Sequence, residues 1–189
     1  MEVIANKIVN YLDMDELNWN DLDRMQMVVG LQIIIHNIIM ISAILLTAKI
    51  SGILGESIIL LTAYGILKIT AGGIHFKKSF ACLLGTGCFI FAGVCISRQL
   101  HIHLAYITLT YAVCMMIIAI VGPQGTKNNP ILAEDYEKLR KRAVFITFLY
   151  FLITLFFAIF YKKTLYLLVV AVVFETFSLI PAFIKNCCS

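Results

Sequence analysis

Six apolar stretches, at residues 28–48, 52–69, 79–97, 102–121, 143–161 and 164–184, alternate with short polar ones. Each is close to the ~20 residues a helix needs to cross a bilayer. The second holds Glu56 and ends at Lys68, which leaves a short or re-entrant helix open there. Residues 1–12 follow another pattern. Ile4, Ile8, Tyr11 and Leu12 share one helical face, with Glu2, Asn6, Lys7 and Asn10 elsewhere. That predicts a short amphipathic helix on the membrane or on the protein's own surface. Residues 13–24 are polar and acidic, and include Trp19, for which interfacial anchoring is favoured over a substrate contact. The pattern predicts an all-α, polytopic membrane protein. It would have about six transmembrane helices and an N-terminal amphipathic helix, in a single membrane-embedded domain over residues 1–189. An interfacial segment (1–25) and a basic loop (122–142) are its distinct parts.

Composition supports this. Of 189 residues, 61% are hydrophobic and only 14% charged, far from a soluble domain. The first 25 residues carry six acidic groups against Lys7 and Arg24, the wrong charge pattern for a secretory signal. Cys82, Cys88, Cys95, Cys114, Cys187 and Cys188 have no zinc-ligand spacing. Most lie in apolar stretches, so no disulfide framework and no metal site are expected.

The placement of charge matters more than the net +4. With a cytoplasmic N-terminus, the inside segments hold eleven basic residues: Lys7, Arg24, Lys68, Lys77, Lys78, Lys127, Lys138, Arg140, Lys141, Arg142 and Lys185. The outside segments hold four: Lys49, Arg98, Lys162 and Lys163. The positive-inside rule therefore predicts both termini in the cytoplasm.

The longest loop, 122–142, has Asn129-Pro130, an N-cap followed by proline at the first helical position. Glu134/Lys138 and Glu137/Lys141 are spaced to pair on a helix. A helix is expected from near Pro130 into the fifth span. Lys138, Arg140, Lys141 and Arg142 would crowd the membrane boundary. They would serve either as snorkelling contacts to lipid headgroups or as a docking surface for an acidic peptide.

The chemistry-bearing stretch is 70–82. It holds Gly72-Gly73, His75, Lys77, Lys78 and Cys82. Thiol and imidazole suit a nucleophile and its base. Their spacing alone does not make them one. Seven residues along a straight helix separate two groups by roughly 10 Å, beyond hydrogen-bond reach. The chain must fold back, and Gly72-Gly73 supplies the freedom to do so. A helix starting near Ser79 would put Cys82 in its first turn, where a thiolate is favoured. This end would face the reducing cytoplasm. The bland alternative is a structural histidine and a cysteine acting as a small hydrophobe.

Glu56, Glu175 and His36 are ionisable groups inside spans. Depth along the helices, roughly 20 Å for Glu56 and 13 Å for Glu175, sets both apart from Cys82 as orienters. Pairing between helices is their default role. Gln32 is better placed to donate to an oxyanion. No H-E-x-x-H, G-x-S-x-G, phosphate loop or dinucleotide fingerprint occurs, and neither a cofactor nor a nucleic-acid partner is expected.

Gly72-Gly73-Ile-His75 with Cys82 after six intervening residues, opening an apolar span, resembles the accessory gene regulator B (AgrB) family. So does the polar stretch from Gly122-Pro123 through Asn129-Pro130 to the basic cluster, as do length and segment order. The resemblance implies a membrane cysteine endopeptidase that processes the quorum-sensing propeptide AgrD. Cys82 would be the nucleophile, His75 the base, and Gly73, beside Gly72, the residue that permits the turn. The partner would be a propeptide with an amphipathic leader and an acidic C-terminal tail, and the family implies a homodimer. Where the family often has arginine, this chain has Lys68, which keeps the charge but not the bidentate geometry. Lys68, Lys77, Lys78 and the cluster Lys138, Arg140, Lys141 and Arg142 are the candidate substrate contacts. A non-catalytic peptide binder or small exporter is the reading from another class.

Overall fold

The computed structural model describes residues 2–13, 21–73, 79–125, 133–160 and 162–187. These form seven helices: α1 (Glu2–Asp13), α2 (Asp21–Ile50), α3 (Leu54–Ala71), α4 (Ser79–Gln99), α5 (Leu104–Val121), α6 (Ala133–Phe160) and α7 (Lys162–Cys187). Six of them, α2 to α7, are long and apolar enough to cross a membrane. The spans therefore fall where the hydropathy pattern predicts them. The second is a full 18-residue helix despite Glu56. The helix expected from the 122–142 loop is continuous with the fifth span as α6. Pro130 and Trp19 lie outside the described residues.

The chain divides into two compact units, Met1–Thr47 and Ala48–Ser189. In the first, α1 buries Ala5 and Val9 and exposes Val3, Ile8 and Tyr11. The part of α2 in this unit exposes Ile33, Ile34, Ile38 and Ile39, as a lipid-facing helix would. Gln32 and His36 stand one turn apart on it, each half-buried.

In the second unit α7 is the central element and touches α3, α4, α5 and α6. It is the most buried of the spans, with a continuous buried run from Leu167 to Val172. Close approach depends on small residues, since lipid gives helices no hydrophobic drive to associate. A Cβ on Gly93 of α4 would lie 2.6 Å from Leu60 Cδ2 and 3.0 Å from the Phe174 ring. Polar groups tie the helices as well. Tyr111 and Thr154 share a 2.7 Å hydrogen bond, and the Tyr150 hydroxyl donates to the Ala63 carbonyl at 3.2 Å.

The two ends of this unit differ. At one, Arg98 of α4 meets Glu56 of α3 at 2.6 Å, and Tyr166 accepts a hydrogen bond from the Ile102 N–H. At the other, α3, α5, α6 and α7 close over a cluster of Ala71, Ile118, Ala143 and Leu179. Above it the chain leaves α3 through Gly72 and Gly73.

Candidate functional site

α3 stops at Ala71 because the next two residues adopt left-handed φ values, +79° at Gly72 and +108° at Gly73. Such values are open to glycine and costly for residues with a side chain. The Gly72 N–H still donates to the Lys68 carbonyl at 3.0 Å. Beyond it the chain pairs with the segment leaving α5. Gly72 and Gln124 form a parallel bridge: the Gln124 N–H donates to the Ala71 carbonyl at 2.9 Å, and the Gly73 N–H to the Gln124 carbonyl at 3.4 Å. A Cβ on Gly72 would overlap that Gln124 carbonyl. Gln124 is itself held by a side-chain hydrogen bond from its Nε2 to the Val121 carbonyl. The Tyr136 hydroxyl of α6 donates to the Gly122 carbonyl at 3.3 Å.

The other side of Gly73 faces α7. A Cβ there would lie 2.5 Å from Ser178 Oγ and 3.5 Å from Glu175 Oε1. Gly73 is buried, so the chain dips into the bundle before it reaches His75. Glu175 is fully buried. Its Oε2 accepts from Ser178 at 3.3 Å, while its Oε1 has no hydrogen-bond partner among the described residues. Lys68 attracts this carboxylate from α3 and donates to the Tyr64 hydroxyl at 3.1 Å. The result is a connected polar set of Lys68, Tyr64, Ser178 and Glu175 beneath a glycine turn.

The depth estimate that set Glu175 apart does not describe this place. Depth was measured along helices to their ends, whereas Gly73 lies below the ends. Glu56 takes the default role and pairs between helices, with Arg98. Glu175 and Ser178 lie three apart and share a helical face; that spacing, opposite a lysine in another span, was the available signal. Nothing in the sequence marked Gln124.

Cys82 is the fourth residue of α4, which starts at Ser79 where a helix was expected, and its side chain is half-buried. His75, Lys77 and Lys78 lie outside the described residues. Gln32 belongs to the other unit. On α6, Lys138 pairs with Asp135 at 3.7 Å and Lys141 with Glu137 at 3.3 Å, both on the surface. The Glu134 side chain, which the sequence pattern also offered to Lys138, lies outside the described side chains. Among the described residues Arg140 and Arg142 pair with no carboxylate, and they complete the basic face. An apolar groove of about 330 Å³ between α5 and α7 includes Cys114 and Thr176 but no residue of the 70–82 stretch.

Fold and turn together define a class: a polytopic, all-helical membrane protein with a polar break where two of its spans meet. The sequence matches the profile of AgrB, Accessory gene regulator B, over residues 2–179, and the chain belongs to that family. A Clostridium acetobutylicum protein described as AgrB-like is 26% identical over 155 residues, spanning 82% of this chain and 72% of that one. No solved structure matches the chain. It is thus a multi-pass membrane protein with a role in the agr quorum-sensing system, in a family associated with AgrD propeptide processing.

Proposed function

We propose that this protein is a membrane cysteine endopeptidase that cleaves an AgrD-type propeptide at the C-terminal side of its signal segment. The observation that carries the reading is the broken connection between α3 and α4. A chain that turns at Gly72-Gly73 and restarts at Ser79 frees His75 and Cys82 from the ~10 Å separation of a straight helix. The Cys82 sulfur attacks the scissile carbonyl carbon as His75 takes the thiol proton. The C–N bond breaks, His75 returns the proton to the leaving amine, and the acyl group stays on Cys82 as a thioester. A thiol or hydroxyl within the same peptide then gives its proton to His75 and attacks that carbonyl; the C–S bond to Cys82 breaks, His75 returns the proton to the departing thiolate, and a thiolactone or lactone is closed. Tethering gives the internal nucleophile a large effective molarity, so closure outruns hydrolysis.

The orientation that fits is cytoplasmic for both termini and for the site, following the eleven-to-four bias of basic residues. An amphipathic leader would concentrate the substrate at the same surface. Its acidic tail would be drawn to α6, meeting Arg140 and Arg142 before the internally paired Lys138 and Lys141. Lys77 and Lys78 would add positive charge beside the site, and Gln32 remains the candidate oxyanion donor. Lys68 donates to Tyr64 and attracts Glu175 in this arrangement, and it stays a candidate substrate contact.

The test is co-expression with a propeptide carrying an amphipathic leader, an internal cysteine and an acidic tail, with mass spectrometry of the adduct on Cys82. Cys82→Ala and His75→Ala should each abolish cleavage while the protein still reaches the membrane. Normal cleavage by Cys82→Ala would end the reading in favour of a binder or exporter.

A further inference from the structure

The cations at the start of α6 are not equivalent. The face that α6 turns into the bundle is a heptad stripe of Tyr136, Arg140, Ala143, Thr147, Tyr150 and Thr154. The last four are buried, and Tyr136 and Arg140 are half-buried. Lys138, Lys141 and Arg142 lie off the stripe and are exposed. Arg140 therefore extends the packing face of α6 beyond its last buried residue.

Its neighbours on the stripe fix what it overlooks. One turn below, Ala143 packs in the cluster with Ala71, the last residue of α3. One turn above, the Tyr136 hydroxyl donates to the Gly122 carbonyl. A helical side chain leans toward its own N-terminus, which carries the guanidinium over the bridge between Gly72 and Gln124. Carbonyls at that bridge are already in use. Ala71 accepts from the Gln124 N–H, Val121 from the Gln124 side chain, and Gln124 from the Gly73 N–H. Lys138 and Lys141 have carboxylates of their own helix, and Arg140 pairs with none among the described residues. The exposed cations are the ones placed for lipid headgroups. A half-buried guanidinium on the inward face, with five donors to satisfy, is placed for a carboxylate arriving over the turn.

We propose that Arg140 is a specificity-determining residue that holds one carboxylate of the propeptide tail, about four or five residues beyond the cleaved bond. The inference rests on the endopeptidase reading above. Its register follows from helix packing. α4, which carries Cys82, and α6 each pack against both α3 and α7, and α3 and α7 pack against each other. Two helices cannot fill one groove, so α4 and α6 lie on opposite sides of the α3–α7 pair. With neighbouring axes about 8–10 Å apart, the outer two are about 14–17 Å apart. An extended chain covers about 3.3–3.6 Å per residue, so a tail leaving Cys82 across the end of α3 reaches Arg140 with its fourth or fifth residue. A planar fork reads a carboxylate at one place. Exposed cations attract negative charge wherever along the tail it falls.

The experiment uses the full-length protein in phosphatidylcholine liposomes. The probes are propeptides whose tail acids are all replaced by Asn or Gln, except for one Asp moved through the first several tail positions. Initial cleavage rates give kcat and KM for each. In the parental protein KM should dip about tenfold at the fourth or fifth position, as for one charge-assisted bidentate pair, while kcat varies little. Arg140→Gln should flatten the dip to less than about twofold. Arg140→Lys keeps the charge without the fork and should retain only about a threefold dip; it carries the test should Arg140→Gln not accumulate. Arg142→Gln should raise KM alike at every position and leave the dip in place. Arg140→Glu should regain a dip at the same position when Lys replaces the Asp, a rescue that no general loss of folding could give. A flat parental profile, a dip at another position, or a dip that survives Arg140→Gln overturns the proposal. So does an equal rise of KM at every position in Arg140→Gln, which would assign the guanidinium to lipid phosphate or to the scaffold. Where Cys82→Ala abolishes cleavage, those outcomes sink this inference alone. If Cys82→Ala cleaves the probes normally, the endopeptidase reading fails and takes this inference with it.

Discussion

The two ends of the Ala48–Ser189 unit handle charge in opposite ways. Where α3 begins and α4 ends, Glu56 and Arg98 meet at 2.6 Å, with half of the arginine side chain and about a third of the glutamate exposed. Both charges keep some contact with their surroundings, and the one left-handed glycine there, Gly52, has open space where a side chain would be. Where α3 ends, Glu175 is fully buried, one of its oxygens has no hydrogen-bond partner among the described residues, and Gly73 holds a left-handed conformation beside it. An exposed pair contributes little and constrains little. A buried charge beside a constrained turn costs stability and fixes geometry, a combination found at functional sites rather than in ordinary scaffolding.

The largest break in that contrast should come from Gly73→Ala. The new methyl meets Ser178 Oγ at 2.5 Å on a backbone at φ +108°. Strain and overpacking together should cost about 2–4 kcal/mol and abolish propeptide cleavage. Thermal unfolding followed by circular dichroism, alongside the cleavage assay, checks both. Next comes reversal of Lys138, Arg140, Lys141 and Arg142 to glutamate. It should weaken propeptide binding about tenfold or more and make the remaining binding less sensitive to salt, as titrations at two ionic strengths would reveal. Unaltered affinity would remove α6 from the substrate surface.

Two smaller effects sharpen the comparison from the quiet end. Gly52→Ala, at φ +70° but with nothing within 4 Å of the added carbon, should cost only the conformational share, about 1 kcal/mol. A cost equal to that of Gly73→Ala would mean that packing against α7 contributes nothing. Arg98→Ala should lower stability by about 0.5 kcal/mol and leave cleavage at the parental rate. A large loss of cleavage there would erase the distinction between the ends.

The sequence by itself determined the number and extent of the helices, because lipid admits a crossing chain almost only as a helix of about twenty apolar residues. It also marked the break after Ala71, since two adjacent glycines permit backbone angles that few other residues adopt, and it set the start of α4 at Ser79. The pairing of Glu137 with Lys141 was legible for a similar reason: both lie on one helix, where spacing fixes contact. Which helix faces which was decided only by the tertiary structure. Hydropathy gives depth along a span but not rotation about its axis, and these spans are apolar on nearly every side. So the meeting of Lys68, Tyr64, Ser178 and Glu175, the bridge from Gln124 to Gly72, and the burial of Gly73 below the helix ends could not be read in advance. They arise because α3 packs along α7, and that packing places the exit of one helix beside a carboxylate of the other.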